Sequence, residues 1–222
     1  MQRAILFDFN GVIVDDEAQH CDALAAALAE YDISLDREAY YRDYLGFDDR
    51  ECFRFTFARH ELPVDSKALA KAIERKAAHY AAAIRNSMTL VPGAPEFVRA
   101  AADGGHALAI VSGALRREIE LVLDTAGLRE HFTTLIAAED VSACKPDPQG
   151  YRRARASLGV PREYCVVLED SLPGLAAARA AGIRCAALAT SHPADALAGA
   201  DAVRPDLVGR KPADLPWADV AA

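Results

Sequence analysis

The sequence has little of what builds disulfide frames, zinc sites or membrane spans. Its five cysteines, Cys21, Cys52, Cys144, Cys165 and Cys185, are scattered, odd in number and never spaced as C-x-x-C. That usage suits a reducing compartment and argues against a disulfide framework or a zinc site. No apolar run approaches the ~18 residues of a membrane span. Basic residues do not outweigh acidic ones: 25 Lys and Arg against 33 Asp and Glu give a net charge of -8. This balance argues against broad binding to nucleic acid or to acidic membranes. A small anionic ligand stays open, because one lysine and one metal ion reverse the field locally. There is no internal repeat and no low-complexity segment. The first residues run directly into a strand pattern, so no signal peptide is expected and a cytoplasmic location is. The expected state is a monomer or weak homodimer.

What is present begins at residues 4–7, a continuous apolar run that reads as a strand buried on both faces of a parallel sheet. Asp8 ends this run and Gly11 follows three residues later. In open α/β sheets, ligands bind outside the carboxyl ends of the strands, which puts Asp8 where chemistry occurs. From 17 to 86 the periodicity is helical, with patterns near 17–31, 36–45, 48–60 and 65–84 and no convincing strand. Strand patterns then return at 106–111, 134–138, 164–168, 184–188 and 201–203, separated by helical stretches near 94–103, 115–126, 149–158 and 173–181. Strands alternating with helices predict an α/β protein. The expected fold is a Rossmann-like, doubly wound parallel sheet over residues 1–15 and 87–222. An all-helical cap at 16–86 interrupts it.

Several strand ends carry polar groups: Asp8 and Asn10, then Ser112 and Gly113, then Lys145, then Glu169 and Asp170. In a parallel sheet these ends share one edge. Each group alone has an ordinary structural reading as a turn or a helix cap. Together they supply a carboxylate nucleophile, a hydroxyl with nearby backbone N–H groups, a cation and an acidic pair. A phosphoryl group attacked by a carboxylate needs that set, and paired carboxylates suit Mg²⁺.

Four ordered motifs, Asp8-Phe9-Asn10-Gly11-Val12, Val111-Ser112-Gly113, Lys145-Pro146-Asp147-Pro148 and Leu168-Glu169-Asp170-Ser171, resemble those of the haloacid dehalogenase superfamily. The helical insertion after the first motif, with His20 and the Leu45-Gly46 turn before Arg50, resembles the branch of β-phosphoglucomutase and phosphoglycolate phosphatase. The resemblance implies that Asp8 forms an aspartyl-phosphate and that Ser112, Gly113 and Lys145 hold the phosphoryl oxygens. It implies Mg²⁺ held by Asp8, the main-chain carbonyl of Asn10, Asp170 and Glu169. Gly46 and Arg50 would face a small phosphorylated metabolite, sugar-phosphate-like, from the cap. The same core groups serve hydrolase and phosphomutase, so both stay open. Dehalogenases of this superfamily need no metal, and the pair Glu169-Asp170 argues against that chemistry. Phosphonate hydrolases use a cap lysine; Lys67, Lys71 and Lys76 are expected on a solvated helix face instead. Arg50, Arg54, Arg75 and Lys76 are candidates for contact with a second anionic group, against the ordinary reading of such side chains as solvated.

The departure is Asn10. Phosphatases of this superfamily carry an aspartate there, which protonates the leaving oxygen and then activates water. An amide does neither. Four readings follow. Another group, His20 or Glu17, takes the acid–base role; or the protein binds a phosphorylated ligand without efficient turnover. Alternatively the chain is an aspartate-to-asparagine trap, or the Asn10-Gly11 pair deamidates to give an aspartate.

Overall fold

The structure is a computed structural model and describes residues 2–44 and 47–219. It divides into two compact units, Met1–Asp15 with Thr89–Ala222, and Asp16–Met88. The first unit holds six strands: β1 (Ala4–Phe7), β2 (Ala107–Val111), β3 (Thr134–Ile136), β4 (Cys165–Glu169), β5 (Arg184–Leu188) and β6 (Ala202–Arg204). They form one parallel sheet in the order β3-β2-β1-β4-β5-β6. Helices α5 (Ala94–Asp103), α6 (Arg116–Thr125), α7 (Gln149–Leu158) and α8 (Leu172–Ala181) connect the strands. The α/β expectation holds, with the first strand at the centre of the sheet.

The strand patterns follow from burial on both sheet faces. Every residue of β1 and β2 is buried, so polar alternation has no place in them. Ala4 and Leu6 point to one face with Val167, where Tyr151 and Ala154 of α7 and Ala177 and Ala178 of α8 cover them. Phe7 points to the other face and meets Phe97 of α5 and Phe132 edge-on, with ring centroids 6.2 and 5.6 Å away. β1 therefore stands between β2, entered before it in the sheet order, and β4, entered after it. The order reverses at β1, which is the switch point where doubly wound sheets open a crevice at their carboxyl edge. The sheet thus sets Asp8, one residue beyond β1, into that crevice; its N–H donates to the Leu168 carbonyl of β4 at 2.8 Å.

The second unit contains α1 (Glu17–Ala29), α2 (Arg37–Asp43), α3 (Asp49–Arg59) and α4 (Ser66–Asn86). Three of these helices start on aspartates that cap backbone N–H groups: Asp36 for α2, Asp48 in a capping box with Glu51 for α3, and Asp65 for α4. Leu24 and Leu28 of α1 pack with Phe53 and Phe57 of α3 and with Leu69 of α4. α1 stops two residues short of the expected end at 31, because Asp32 turns left-handed at φ +59° and Ile33 N–H closes onto the Leu28 carbonyl.

One expectation fails in this unit. Lys76 is not on a solvated face but buried, its side chain 2 % exposed. It lies on the α4 stripe of Leu69, Ala72 and Tyr80, a helical spacing that faces the unit's core. The ammonium is accommodated because Asp49 Oδ1 stands 2.7 Å away and His20 Nδ1 2.6 Å away.

Candidate active site

The crevice gathers groups from the ends of β1, β2 and β4 and, nine residues past the end of β3, from the loop that follows it. Lys145, in the loop between β3 and α7, donates from Nζ to Asp8 Oδ1 and to Glu169 Oε1, both at 2.5 Å. Glu169 closes β4 and is fully buried. Its Oε1 also accepts from the Tyr151 hydroxyl at 2.7 Å. Its Oε2 accepts from the N–H groups of Asp170 and Ser171 at 3.0 and 3.1 Å, and from the Ser171 hydroxyl at 2.9 Å. Gly174, in the first turn of α8, leaves room for this carboxylate. A Cβ there would fall 1.8 Å from Glu169 Oε1. Ser112 is buried at the end of β2, and its hydroxyl lies 3.5 Å from Asn10 Oδ1. Gly113 beside it is exposed.

One oxygen from each of Asp8, Glu169 and Asp170 lies within 4.8 Å of the others. Three buried carboxylates beside one ammonium, Lys145, which pairs with Asp8 and Glu169, leave negative charge in excess. Burial first, then Glu169, raises the Asp8 carboxyl from 3.8 to about 7, with Lys145 pulling the other way. Burial, then Asp8 and Glu169, raises Asp170 to about 8. Burial acts against ionisation of Glu169 too, but Lys145, Tyr151 and the Ser171 N–H outweigh it and hold this carboxyl below its ordinary value. Burial likewise opposes charge on Lys145, yet Asp8 and Glu169 keep it above the usual lysine range. The excess of buried, all-oxygen donors fits a hard divalent cation, which would offset their mutual repulsion.

This charge balance sets a pH dependence. Asp8 and Asp170 bind protons more tightly in the folded, metal-free chain than in the unfolded one. Their contribution to stability is therefore lost as pH rises from about 4 to about 8. The EDTA-treated protein is expected to unfold at a lower temperature at pH 8.5 than at pH 6. Saturating Mg²⁺ should remove that decline, as read by thermal unfolding with and without the ion.

His20 lies in the helical unit. Its ring stacks on Tyr80 with centroids 4.4 Å apart, Nδ1 meets Lys76, and Nε2 stands 3.4 Å from Asp16 Oδ2. Glu17 accepts from the Tyr40 hydroxyl at 2.5 Å. Arg50 is exposed in the first turn of α3. Arg75 pairs with Glu30 at 2.8 Å. Gly46 lies outside the described residues. The crevice thus unites Asp8, Asn10, Ser112, Lys145, Glu169 and Asp170, while His20, Glu17 and Arg50 belong to the helical unit.

Sequence reasoning passed over three residues of the crevice. Tyr151 carried a signal, since a tyrosine on the buried stripe of α7 needs a partner for its hydroxyl. Thr190 and Ser191, in the loop after β5, carried none. The Thr190 hydroxyl donates to the Gly11 carbonyl at 2.6 Å, and the Ser191 hydroxyl donates to Asp170 Oδ2.

Residues 5–188 match the family described as haloacid dehalogenase-like hydrolase. The chain belongs to this family. The hydrolase is 31% identical over 207 residues to validoxylamine A 7'-phosphate phosphatase of Streptomyces hygroscopicus subsp. limoneus, covering 93% of this chain and 95% of that one. It is 30% identical over 181 residues to hexitol phosphatase B of Escherichia coli, covering 82% and 81%. Among solved structures it resembles CbbY from Rhodobacter sphaeroides in complex with phosphate, at 30% identity and a TM-score of 0.87, over 97% of this chain and 99% of that one. An aspartate-to-asparagine variant of CbbY, in complex with xylulose-(1,5)-bisphosphate, matches at the same level. The hydrolase thus stands in the phosphatase branch of the family, with an α/β core and a helical cap.

Proposed function

We propose that this hydrolase acts on a small, sugar-phosphate-like monoester, with Mg²⁺, through transfer of the phosphoryl group to Asp8. The observation that carries the reading is the pairing of Asp8 with Lys145 at 2.5 Å, inside a cluster of three buried carboxylates. Mg²⁺ held by Asp8, Glu169, Asp170 and the Asn10 carbonyl would offset the repulsion between carboxylate and phosphate. The chain's own groups account for the rest. Asp8 is aligned by the Leu168 carbonyl and by Lys145, so that a carboxylate oxygen attacks phosphorus and the ester oxygen leaves. Lys145 and Ser112 are set to hold phosphoryl oxygens, and the Lys145 charge favours ionised Asp8. Sugar-phosphate specificity is supported by the kinship to hexitol phosphatase B and CbbY.

A second reading, a binder of phosphorylated ligand with impaired turnover, is favoured by Asn10. Its amide neither protonates the leaving oxygen nor activates water. The crystallised CbbY variant, in which asparagine replaces an aspartate, is in complex with a sugar bisphosphate. An aryl phosphate separates the readings, because its phenolate departs without a proton donor. With Mg²⁺, the transfer reading predicts a burst of phenolate approaching one equivalent per chain, then slow release of phosphate. Absence of both burst and turnover, with phosphate still bound, overturns the transfer reading and leaves the binder.

A further inference from the structure

We propose that the Thr190-Ser191 pair, in the loop after β5, is a positioning clasp for two of the metal-binding groups, Asp170 and the Asn10 carbonyl. The inference rests on the metal reading given above.

The loop is anchored at one end by the sheet: Ala189 N–H donates to the Arg204 carbonyl of β6 at 2.7 Å. From there its two hydroxyls reach in different directions. Ser191 donates to Asp170 Oδ2. A carboxylate at the start of a loop rotates about its side-chain bonds, and a donor on one oxygen fixes that rotation and presents the other. Thr190 donates to the Gly11 carbonyl at 2.6 Å. Gly11 N–H, on the same peptide group as the Asn10 carbonyl, donates to the Val14 carbonyl at 2.7 Å. With hydrogen bonds on both sides of Gly11, the plane of the Asn10–Gly11 peptide is set, and with it the direction of the Asn10 carbonyl.

The three parts are also packed together. Gly11 sits at φ +72°, and a Cβ there would fall 1.9 Å from Asp170 Oδ2 and 3.0 Å from Ser191 Oγ. The loop after β1, the end of β4 and the loop after β5 therefore meet at one point, and the hydroxyl pair joins them. Groups that orient metal ligands from behind change metal affinity by about 10–100-fold when removed. Thr190 and Ser191 are both exposed, so water replaces part of each bond and the lower end applies.

The test is calorimetric titration of Mg²⁺ into EDTA-stripped protein. Ser191→Ala and Thr190→Val are each expected to weaken Mg²⁺ binding about tenfold, with the unfolding temperature of the metal-free chain unchanged. Ser191→Thr, which keeps the hydroxyl, is expected to restore the parent affinity. A purely structural loop would instead lower the metal-free unfolding temperature and leave affinity alone. If the parent binds Mg²⁺ and Ser191→Ala binds it within about twofold of the parent, the clasp is overturned. If the parent itself binds no Mg²⁺, the metal reading falls, and the clasp with it.

Discussion

Asn10→Asp is expected to raise steady-state turnover of an alkyl phosphomonoester by about 10²–10⁴-fold, the usual worth of a positioned general acid and base. Asn10 lies two residues beyond Asp8, with Ser112 beside its side-chain oxygen. An alkoxide is a poor leaving group, so its departure without a proton is slow. Water attacking the aspartyl-phosphate needs a base, and the amide supplies none. The exchange is nearly isosteric and leaves the main-chain carbonyl in place, so Mg²⁺ affinity should change little while turnover changes greatly. Phosphate release from a panel of hexitol and ketose phosphates checks this, parent against variant. Equal rates in the two chains would mean that another group carries the acid–base role, and His20→Ala would then be compared. Deamidation is a poor route to the same aspartate in the folded chain. The nitrogen that would attack the Asn10 side chain is that of Gly11, and its N–H is held by the Val14 carbonyl at 2.7 Å.

Much of this site was legible because a doubly wound sheet writes its active edge into the sequence. Each strand is a short apolar run, and the first polar residue after it is placed by topology alone. Asp8, Ser112 and Asp170 each stand one residue past a strand whose residues are buried on both faces. Lys145 was legible through its motif rather than through topology, since it lies nine residues beyond Ile136, the last residue of β3. Its contact with Asp8 spans 137 residues of sequence, a pairing that no local pattern encodes.

What stayed hidden is instructive in the same terms. Thr190 and Ser191 lie in a loop without periodicity, and hydroxyls of that kind are mostly solvated. Only the fold brings β5 beside β4 and so brings Ser191 to Asp170. Lys76 misled for a different reason. Lysine is almost never fully buried unless paired, and its partners Asp49 and His20 come from other helices. The periodicity of Leu69, Ala72 and Tyr80 placed it on the inner face, and composition argued it outward. Packing followed the periodicity.

Asp8→Asn is expected to abolish the phenolate burst and phosphate release while making the metal-free protein more stable. The two effects share one cause. Attack on phosphorus would need Asp8 as an ionised carboxylate, yet burial and Glu169 raise its pKa from 3.8 to about 7, so the metal-free fold resists that charge. Above pH 7 the metal-free chain keeps Asp8 ionised at a cost that the unfolded chain does not bear. The amide removes this cost and still accepts from Lys145. At pH 8 the gain should be on the order of 4 kcal/mol, or about 8–16 °C in unfolding temperature for a chain of this size. At pH 5 the native carboxyl is already mostly protonated, and the gain should shrink. Saturating Mg²⁺ should reverse the order, because the parent gains a ligand that the variant lacks. Thermal unfolding at the two pH values, with EDTA and with Mg²⁺, reads all of these. A variant less stable than its parent at pH 8 in EDTA would mean that the Asp8–Lys145 pair stabilises the fold outright. The strained charge would then reside on Asp170, whose carboxyl is raised to about 8.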